Sequence, residues 1–311
     1  MLRARALRKL LGGRHRDPVI AYIWDPEFWP VARRLDPDTV VYHKRDRYPI
    51  IGKPTLRQRR LEESLIRSAH LKLAVSPEII EADPIHHGFE VLENGVDFEP
   101  FRAAAEVRGN DVPEAILSIP GPRIGYVGSI NQKLDFGLLT ELVGTMPEAN
   151  FVFVGPIQSD ETTQSGVATL RQHPNVRFLG SVEFTALPSY VANLDVGLMP
   201  YRTDHDVWSH FCSPLKLPEY LAAGIPVVSS GIPAARRWGG HLEIADSAQE
   251  WSAKIHRQLR PDVALERAAR IESVRHLCWS CRAADVLARL NLDRASAHAP
   301  RGDRSQRHPP A

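Results

Sequence analysis

The stretch from Cys212 to Ser230 constrains the fold of this chain more than any other part of the sequence. It reads Cys-Ser-Pro-Leu-Lys-Leu-Pro-Glu-Tyr-Leu-Ala-Ala-Gly-Ile-Pro-Val-Val-Ser-Ser, which predicts a loop, a short helix, a stop and a buried strand. Ser213 is a residue type that caps helix starts, and Pro214 suits the first helical position. Gly224 suits the left-handed position after a helix, and Pro226 prevents its continuation. A helix followed directly by an apolar strand is typical of a parallel α/β sheet.

The start of this helix predicts a phosphate site. A helix N-terminus presents unpaired backbone N–H groups and the positive end of the helix dipole. Lys216 adds a positive charge there, and Glu219, one turn later, can accept hydrogen bonds from the two hydroxyls of a ribose. Pro218 lacks an N–H, which favours a helix start near Leu217. Because Ser-Pro helix starts occur in many α/β proteins, an ordinary helix with a surface Lys and Glu remains the alternative.

These residues resemble the donor-site motif of the group 1 (family 4) glycosyltransferases, which have the GT-B fold. The resemblance is specific in two places, the segment 214–228 and the turn Asn94-Gly95-Val96-Asp97. In that family the residue matched by Glu219 holds the ribose of a nucleotide sugar. The family often carries another Glu eight positions earlier, where this chain has Phe211. The matching segments extend over residues 19–290.

The resemblance implies an enzyme that moves a sugar from a nucleoside-diphosphate sugar to the hydroxyl of a sugar or lipid-linked acceptor. It implies retention of configuration, a role in polysaccharide or glycoconjugate synthesis, and no cofactor or metal. Two other interpretations stay open. A sugar-nucleotide epimerase of the same fold would use the same diphosphate site, and a non-catalytic nucleotide-sugar-binding protein would lack the transfer step.

Alternating apolar strands and helices predict an α/β fold with two Rossmann-like domains, the first of them truncated. We expect a partial acceptor-side domain at residues 1–101, a linker at 102–122 and a donor domain at 123–275. A C-terminal helix at 276–294 returns to the first domain, and a disordered tail follows at 295–311. The first domain has four strand candidates, so we expect it to be the less stable half. The second domain has five, Arg123–Val127, Phe151–Val154, Val176–Leu179, Val196–Met199 and Val227–Ser229.

Ligands of open α/β sheets bind at the carboxyl ends of the strands, and three loops there hold candidate residues. Gly128 and Ser129 follow the first strand of the second domain, and Lys133 comes next; in the family this loop contacts the diphosphate. Val182 follows the third strand, where the family places backbone near the base. Arg202 adds a further positive charge. No Gly-x-Gly-x-x-Gly pattern follows the first strand, which excludes a nicotinamide cofactor.

The loop from Pro200 to Phe211 contains Asp204, His205 and Asp206 beside the predicted donor site. Such a group could hold a metal ion. We favour a metal-independent site, because a helix N-terminus and lysines can neutralise a diphosphate. Cys278 and Cys281 have the spacing of a redox motif, but no helix start is evident there, so both are interpreted as packing residues.

Composition narrows the remaining classes. A net charge of +2 gives no basis for nucleic-acid binding, and three cysteines indicate a reducing compartment, so we expect a cytoplasmic protein. Residues 1–16 are basic with leucines at helical spacing. The simpler interpretation is a solvated helix on its own domain; the alternative is a peripheral contact with the inner face of the plasma membrane.

Overall fold

The computed structural model describes residues 18–46, 54–110, 112–204, 208–261 and 266–290. The predictions for residues 1–16, for the tail at 295–311 and for His205 and Asp206 lie outside the described residues. None of the helices in the described ranges is long and apolar enough to span a membrane.

The chain alternates strands and helices as predicted. The strands are β1 (Ile20–Ile23), β2 (Thr39–Lys44), β3 (Leu71–Ala74), β4 (Glu90–Val91), β5 (Arg123–Val127), β6 (Asn150–Val154), β7 (Val176–Gly180), β8 (Val196–Met199), β9 (Val227–Ser229) and β10 (Glu243–Ile244). The α-helices are α1 (Trp29–Ala32), α2 (Leu56–Ser68), α3 (Pro77–Glu81), α4 (Phe98–Glu106), α5 (Glu114–Leu117), α6 (Phe136–Thr145), α7 (Glu161–Leu170), α8 (Leu187–Ala192), α9 (Lys216–Ala222), α10 (Pro233–Arg237), α11 (Ala248–Gln258), α12 (Arg267–Ser273) and α13 (Trp279–Arg289).

Two parallel sheets form the centres of two domains. The first has four strands in the order β1-β2-β3-β4, and the second has six in the order β10-β9-β8-β5-β6-β7. The prediction of an α/β fold with two parallel sheets, the N-terminal one smaller, is therefore confirmed. The sequence predicted five strands in the second sheet and missed β10, which pairs Glu243 and Ile244 with the end of β9. Two residues are too few to show a periodic pattern.

Aspartates set the starts of two helices in the second domain. The Asp135 carboxylate accepts from the backbone N–H of Leu138 at 2.9 Å, so α6 begins at Phe136. Asp160 caps α7 in the same way, which extends that helix toward its N-terminus well beyond the prediction. In both cases the side-chain oxygen satisfies an N–H that the helix itself cannot pair.

The predicted linker is more structured than expected. Helix α4 enters it, because Phe98, Phe101, Ala104 and Ala105 form one buried face at helical spacing. That face packs on helices α8 and α9 of the second domain. The Gly and Pro residues further along the segment concealed this pattern in the sequence.

The two faces of the first sheet are covered unequally. Strands β1 and β2 pair in parallel, with Tyr22 beside Val41 and Ile23 beside Tyr42. One face, which includes Ile23 and Tyr42, packs against α2. The other face is contacted by Val286 and Leu290, which cover β2 and β3. Ile20 and Tyr22 of β1 stay exposed on this second face, at 39% and 37%.

A buried polar cluster fixes the end of β2 to α2. The Glu62 carboxylate accepts hydrogen bonds from Tyr42 Oη at 2.7 Å, from the Lys44 ammonium and from His86 Nε2 at 3.2 Å. Burial alone would raise the pKa of Glu62, but the hydrogen bond from His86 and the charge and hydrogen bond of Lys44 outweigh it and lower the pKa to about 2. The carboxylate is therefore ionised, and its Oε1 accepts three hydrogen bonds inside the first domain.

Helix α13 joins the two domains. Its Arg289 forms an ion pair with Glu90 of β4 at 3.0 Å. Arg237 of α10 adds a second link, since its guanidinium lies 3.2 Å from Glu93 and also contacts Glu78. The return of the C-terminal helix to the first domain was predicted from the sequence.

The interpretation of Cys278 and Cys281 as packing residues is wrong. The two cysteines form a disulfide. Cys278 is also the N-cap of α13, where its sulfur accepts from the backbone N–H of Cys281 at 3.1 Å. A cysteine is a rare capping residue, which is why the sequence did not indicate a helix start here.

Candidate functional site

The end of β5 meets the start of α9 at the boundary between the domains. Gly128 has a φ of +140°, and a Cβ atom on it would lie 2.3 Å from Lys216 Cε and 2.5 Å from Lys216 Nζ. The Lys216 side chain therefore lies directly across the Gly128 backbone, with its ammonium 5.0 Å from the Tyr126 ring centroid. Two residues that the sequence placed in separate loops are brought together, and only glycine permits this contact.

Gly155, at the end of β6, packs against the backbone of the loop that contains Gly128. It has a φ of +138°, and a Cβ atom on it would lie 2.2 Å from the Gly128 carbonyl oxygen. The backbone N–H of Gly128 donates to Val154 O at 2.7 Å, and that of Gly155 donates to Gly180 O at the same distance. Three neighbouring strand ends are thus joined in sequence, which fixes the position of the Gly128 peptide.

Lys133 lies on an aromatic ring. Its Nζ is 3.6 Å from the centroid of the Trp208 ring, a cation–π contact. The Trp208 indole N–H donates to Asp46 Oδ1, in the first domain, at 2.8 Å. Burial lowers the pKa of Lys133, and the Lys216 charge acts in the same direction, while Asp46 and Cys212 oppose them. Both lysines therefore share one charged cluster, with a first-domain carboxylate beside it.

Glu219 lies in the first turn of α9. Burial raises the pKa of its carboxyl to about 7, and the charge of Lys216 partly offsets this effect. Within the described ranges no side-chain hydrogen bond to Glu219 is present. A half-ionised carboxyl without a side-chain partner, next to Lys216, is a suitable acceptor for neutral hydroxyl groups.

The predicted cap of α9 is wrong. The helix begins at Lys216, preceded by Leu215, and no side chain caps it. Ser213 is engaged elsewhere: its hydroxyl accepts from the Asn94 backbone N–H at 3.2 Å, and its carbonyl accepts from Asn94 Nδ2 at 2.7 Å. The start expected near Leu217 is one residue late. The two sequence motifs that carry the family resemblance thus contact each other across the domain boundary.

Phe211 explains why the first Glu of the family motif is absent. Its side chain is buried in the core of the first domain, beside residues such as Tyr42 and Val75. The Ser76 hydroxyl donates to Phe211 O at 2.8 Å. At this position the chain uses an apolar contact that holds the domains together.

The remaining predicted residues surround this centre less directly. Pro214 is buried and Leu215 is exposed at 43%. The Ser129 hydroxyl accepts from Gln158 Nε2 at 3.1 Å, and Val182 packs against the second-domain core. The Arg202 guanidinium pairs with Asp204 at 2.6 Å, while its backbone N–H donates to Lys133 O at 2.9 Å. Arg202 therefore positions the Lys133 loop through its backbone.

Sequence reasoning missed Tyr126, Trp208 and Asp46. Tyr126 donates to Ser129 O at 3.0 Å and so closes the loop after β5. Asp46 follows β2 by two residues, and Trp208 lies in the segment between β8 and α9. A lone acid and a lone tryptophan give no sequence signal that they will meet across 162 positions.

The structure describes only part of the loop that contains the candidate metal ligands. Among these residues no group of three or more His, Cys, Asp and Glu side chains could hold a metal ion. His205 and Asp206 lie outside them, so metal independence stays a prediction.

We expect Glu219→Ala to weaken binding of a nucleoside diphosphate by about 2–3 kcal/mol, because two charge-assisted hydrogen bonds to a ribose are lost. Affinity should also fall as the pH decreases from 8 to 6, since the ionised fraction of a group with a pKa of about 7 falls over that interval. Titration calorimetry measures both effects.

The phosphate itself titrates near pH 6, so Glu219→Gln is the matched control. The difference between the pH profiles of the native chain and Glu219→Gln isolates the carboxyl. Parallel profiles with equal affinities would remove Glu219 from the site.

The part of the chain that contains the second-domain site residues is similar to known proteins. Residues 121–260 match the family model described as glycosyl transferases group 1. The teichuronic acid biosynthesis glycosyltransferase TuaH of Bacillus subtilis (strain 168) is 29% identical over 217 residues, which cover 64% of this chain and 52% of that protein. The phosphatidyl-myo-inositol mannosyltransferase of Mycobacterium leprae (strain TN) is 27% identical over 220 residues, or 63% of this chain and 51% of that protein. The chain spans about half the length of these relatives.

Solved structures share the fold. Sucrose-phosphate synthase from Thermosynechococcus elongatus superposes with a TM-score of 0.70 at 14% identity, covering 93% of this chain and 76% of that one. Anabaena HepE (Alr3699), in complex with UDP and glucose, gives a TM-score of 0.63 at 17% identity over 88% of this chain and 77% of that one. The predicted GT-B fold is confirmed, and the match of residues 121–260 to the family model supports the predicted class, a group 1 glycosyltransferase.

Proposed function

On the premise that residues 121–260 belong to the group 1 glycosyltransferases, we propose that this chain moves a sugar from a nucleoside-diphosphate sugar to an acceptor hydroxyl, with retention of configuration. The observation that carries the proposal is the contact of Lys216 with the Gly128 backbone beside Lys133. Two cations and an open backbone stand at the carboxyl ends of parallel strands, where such sheets bind nucleotides.

The two lysines and Glu219 bind different parts of the donor. Lys216 and Lys133 neutralise the diphosphate, and they stabilise it further as it leaves with the bonding electrons, because its negative charge increases in the transition state. Glu219 holds the ribose hydroxyls. The acceptor hydroxyl attacks the electron-poor sugar carbon and passes its proton to an oxygen of the departing diphosphate as the new glycosidic bond forms.

The relatives suggest which donor and product class to test first. HepE was crystallised with UDP and glucose, and with UDP-glucose. The trehalose-phosphate synthase of Burkholderia xenovorans, a further structural neighbour, is named as UDP-forming. The name of TuaH refers to teichuronic acid, an association that supports a role in polysaccharide or glycoconjugate synthesis. A uridine-diphosphate sugar is therefore the first donor to offer.

The test is to incubate the chain with a panel of labelled uridine- and guanosine-diphosphate sugars and follow the products. Release of the nucleoside diphosphate, slowly to water and faster with an acceptor extract, is the expected result. Interconversion of the sugar without release would identify an epimerase. Tight binding with no turnover, in extract as well as in buffer, would identify a binding protein.

We expect turnover to be unchanged by a chelator, because Lys133, Lys216 and backbone N–H groups supply the positive charge around the diphosphate. The measurement compares initial rates before and after incubation with EDTA, with rates after added Mg²⁺ or Mn²⁺ as the control. Loss of activity with EDTA and its return with either ion would contradict the prediction and direct attention to Asp204, His205 and Asp206.

A further inference from the structure

An apolar cleft lies between the first sheet and the C-terminal helix. Its volume is about 680 Å³, within the roughly 300–1,000 Å³ typical of small-molecule sites. One wall is the exposed face of β1, formed by Ile20 and Tyr22, with Trp24 just beyond it. These three side chains are 39%, 37% and 51% exposed, which is unusual for large apolar residues grouped on one surface.

Helix α13 forms the opposite wall. Val286 and Leu290 pack on the sheet, but the apolar stripe of the helix is wider than this contact. Trp279, Ala283 and Leu287, spaced four residues apart, also line the cleft. Trp279 and Leu287 remain 48% and 46% exposed.

Gly95 holds the Trp279 wall in place. A Cβ atom on Gly95 would lie 2.7 Å from the Trp279 ring, so the indole rests on the glycine backbone. Gly95 of the Asn-Gly-Val-Asp turn therefore fixes the position of the Trp279 ring.

The polar groups on the cleft floor satisfy each other. His43 Nδ1 is 2.7 Å from Tyr22 Oη, and His43 Nε2 is 3.0 Å from Leu92 O. Burial lowers the pKa of His43 to about 4, so the imidazole is neutral at pH 7; its Nε2–H donates to Leu92 and its Nδ1 accepts from Tyr22. The floor accordingly presents no net charge to a ligand.

Two arginines at the rim supply positive charge. The Arg45 guanidinium lies over the Trp24 ring at 5.2 Å, and no acidic partner of Arg45 is present among the described residues. Arg282 Nε is buried and lacks a hydrogen-bond partner within the same ranges, while its Nη1 lies 3.9 Å from Asp285. Glu93 also lines the cleft, but it is already paired with Arg237.

One end of the cleft lies beside the start of the donor motif. Asn94, which binds Ser213, lines one end of it together with Leu215 of the donor motif. A molecule in the cleft would therefore have one end beside Leu215 of the donor motif.

We propose that this cleft binds the apolar chain of an anionic lipid acceptor, with its negative group at Arg45 and Arg282 and its hydroxyl-bearing end toward Leu215. This inference rests on the proposed function, because it names the class of acceptor. Long apolar walls favour an aliphatic chain over a free sugar, and the neutral floor with a cationic rim favours an anionic over a zwitterionic head.

Calorimetry with dodecyl phosphate, below its micelle concentration and on the full chain, tests the proposal. Leu287→Asp should weaken binding by about tenfold or more, because it places a charge on an apolar wall. Leu117→Asp is the matched control, since Leu117 is 65% exposed on α5 and does not line the cleft. Arg45→Gln should weaken dodecyl phosphate about fivefold and leave the uncharged dodecyl maltoside unchanged.

Equal effects of Leu287→Asp and Leu117→Asp, or equal binding of inorganic phosphate alone, would overturn the proposal. So would tenfold tighter probe binding after Leu7, Leu10 and Leu11 are replaced by serine, since the cleft would then belong to the chain's own N-terminal residues. UDP titrated into the same samples separates the two claims. UDP binding unaffected by Leu287→Asp with no lipid binding refutes this inference alone, whereas lipid binding without any nucleotide binding refutes the proposed function alone.

Discussion

Replacing Lys216 by methionine should lower kcat by about 10²–10³-fold, because a preorganised cation at a developing phosphate charge has this order of effect. Methionine keeps the length of the side chain that lies across Gly128, so the contact survives while the charge is lost. Initial rates at saturating donor measure the effect. The assay belongs near pH 8.5, because Lys216 also holds down the pKa of Glu219, which would rise further in the variant.

Lys72→Met controls for the loss of one lysine, since Lys72 lies on β3 of the first domain, outside the charged cluster. Lys133→Met should have a smaller effect on kcat than Lys216→Met, because Lys133 is held on the Trp208 ring. If Lys216→Met and Lys72→Met have the same kcat, Lys216 has no part in leaving-group stabilisation.

Replacing Gly155 by alanine should lower the free energy of unfolding by about 2–4 kcal/mol, the range for a forced backbone shift in a core. The added Cβ would lie 2.2 Å from the Gly128 carbonyl oxygen, and a backbone atom cannot rotate away as a side chain can. Because Gly128 must move, affinity for a nucleoside diphosphate should fall as well. Denaturant unfolding and calorimetry measure the two effects.

Gly180→Ala is the matched control for this prediction. Gly180 also ends a strand with a positive φ, +73°, but no atom lies within 4 Å of its Cβ position. It should therefore cost only the roughly 1–2 kcal/mol of a left-handed non-glycine residue and leave nucleotide binding unchanged. Equal losses in both variants would show that backbone conformation, and not the contact with Gly128, makes glycine necessary at position 155.

The sequence was informative where local chemistry decides the structure. The helix-ending residues Gly224 and Pro226 predicted a helix before them and a strand after them, and α9 and β9 are found there. Gly128 was predicted to lie at the carboxyl end of a strand and Lys216 at a helix N-terminus, and the structure places the Lys216 side chain against the Gly128 backbone. Such assignments succeed because parallel strands place their ends at one edge.

The sequence failed where a residue has a partner far along the chain. Ser213 is a residue type that caps helices, but its hydroxyl and carbonyl oxygens accept hydrogen bonds from Asn94 instead. Phe211 stands where the family motif often has a Glu, and its side chain lies in the core of the first domain. The cap at Cys278 depends on a residue type that rarely serves as one. These outcomes are decided by tertiary contacts, which no local pattern encodes.

The line from Asp46 through Trp208 to Lys133 has a thermodynamic consequence. The carboxylate belongs to the first domain, while the indole and the ammonium belong to the second. Any opening of the domains that separates Asp46 from Trp208 removes the partner that orients the ring under Lys133. By reciprocity, a diphosphate that draws Lys133 off the ring alters the equilibrium between open and closed arrangements by the same free energy. On the proposed function, release of the nucleotide and separation of the domains would be coupled through this contact.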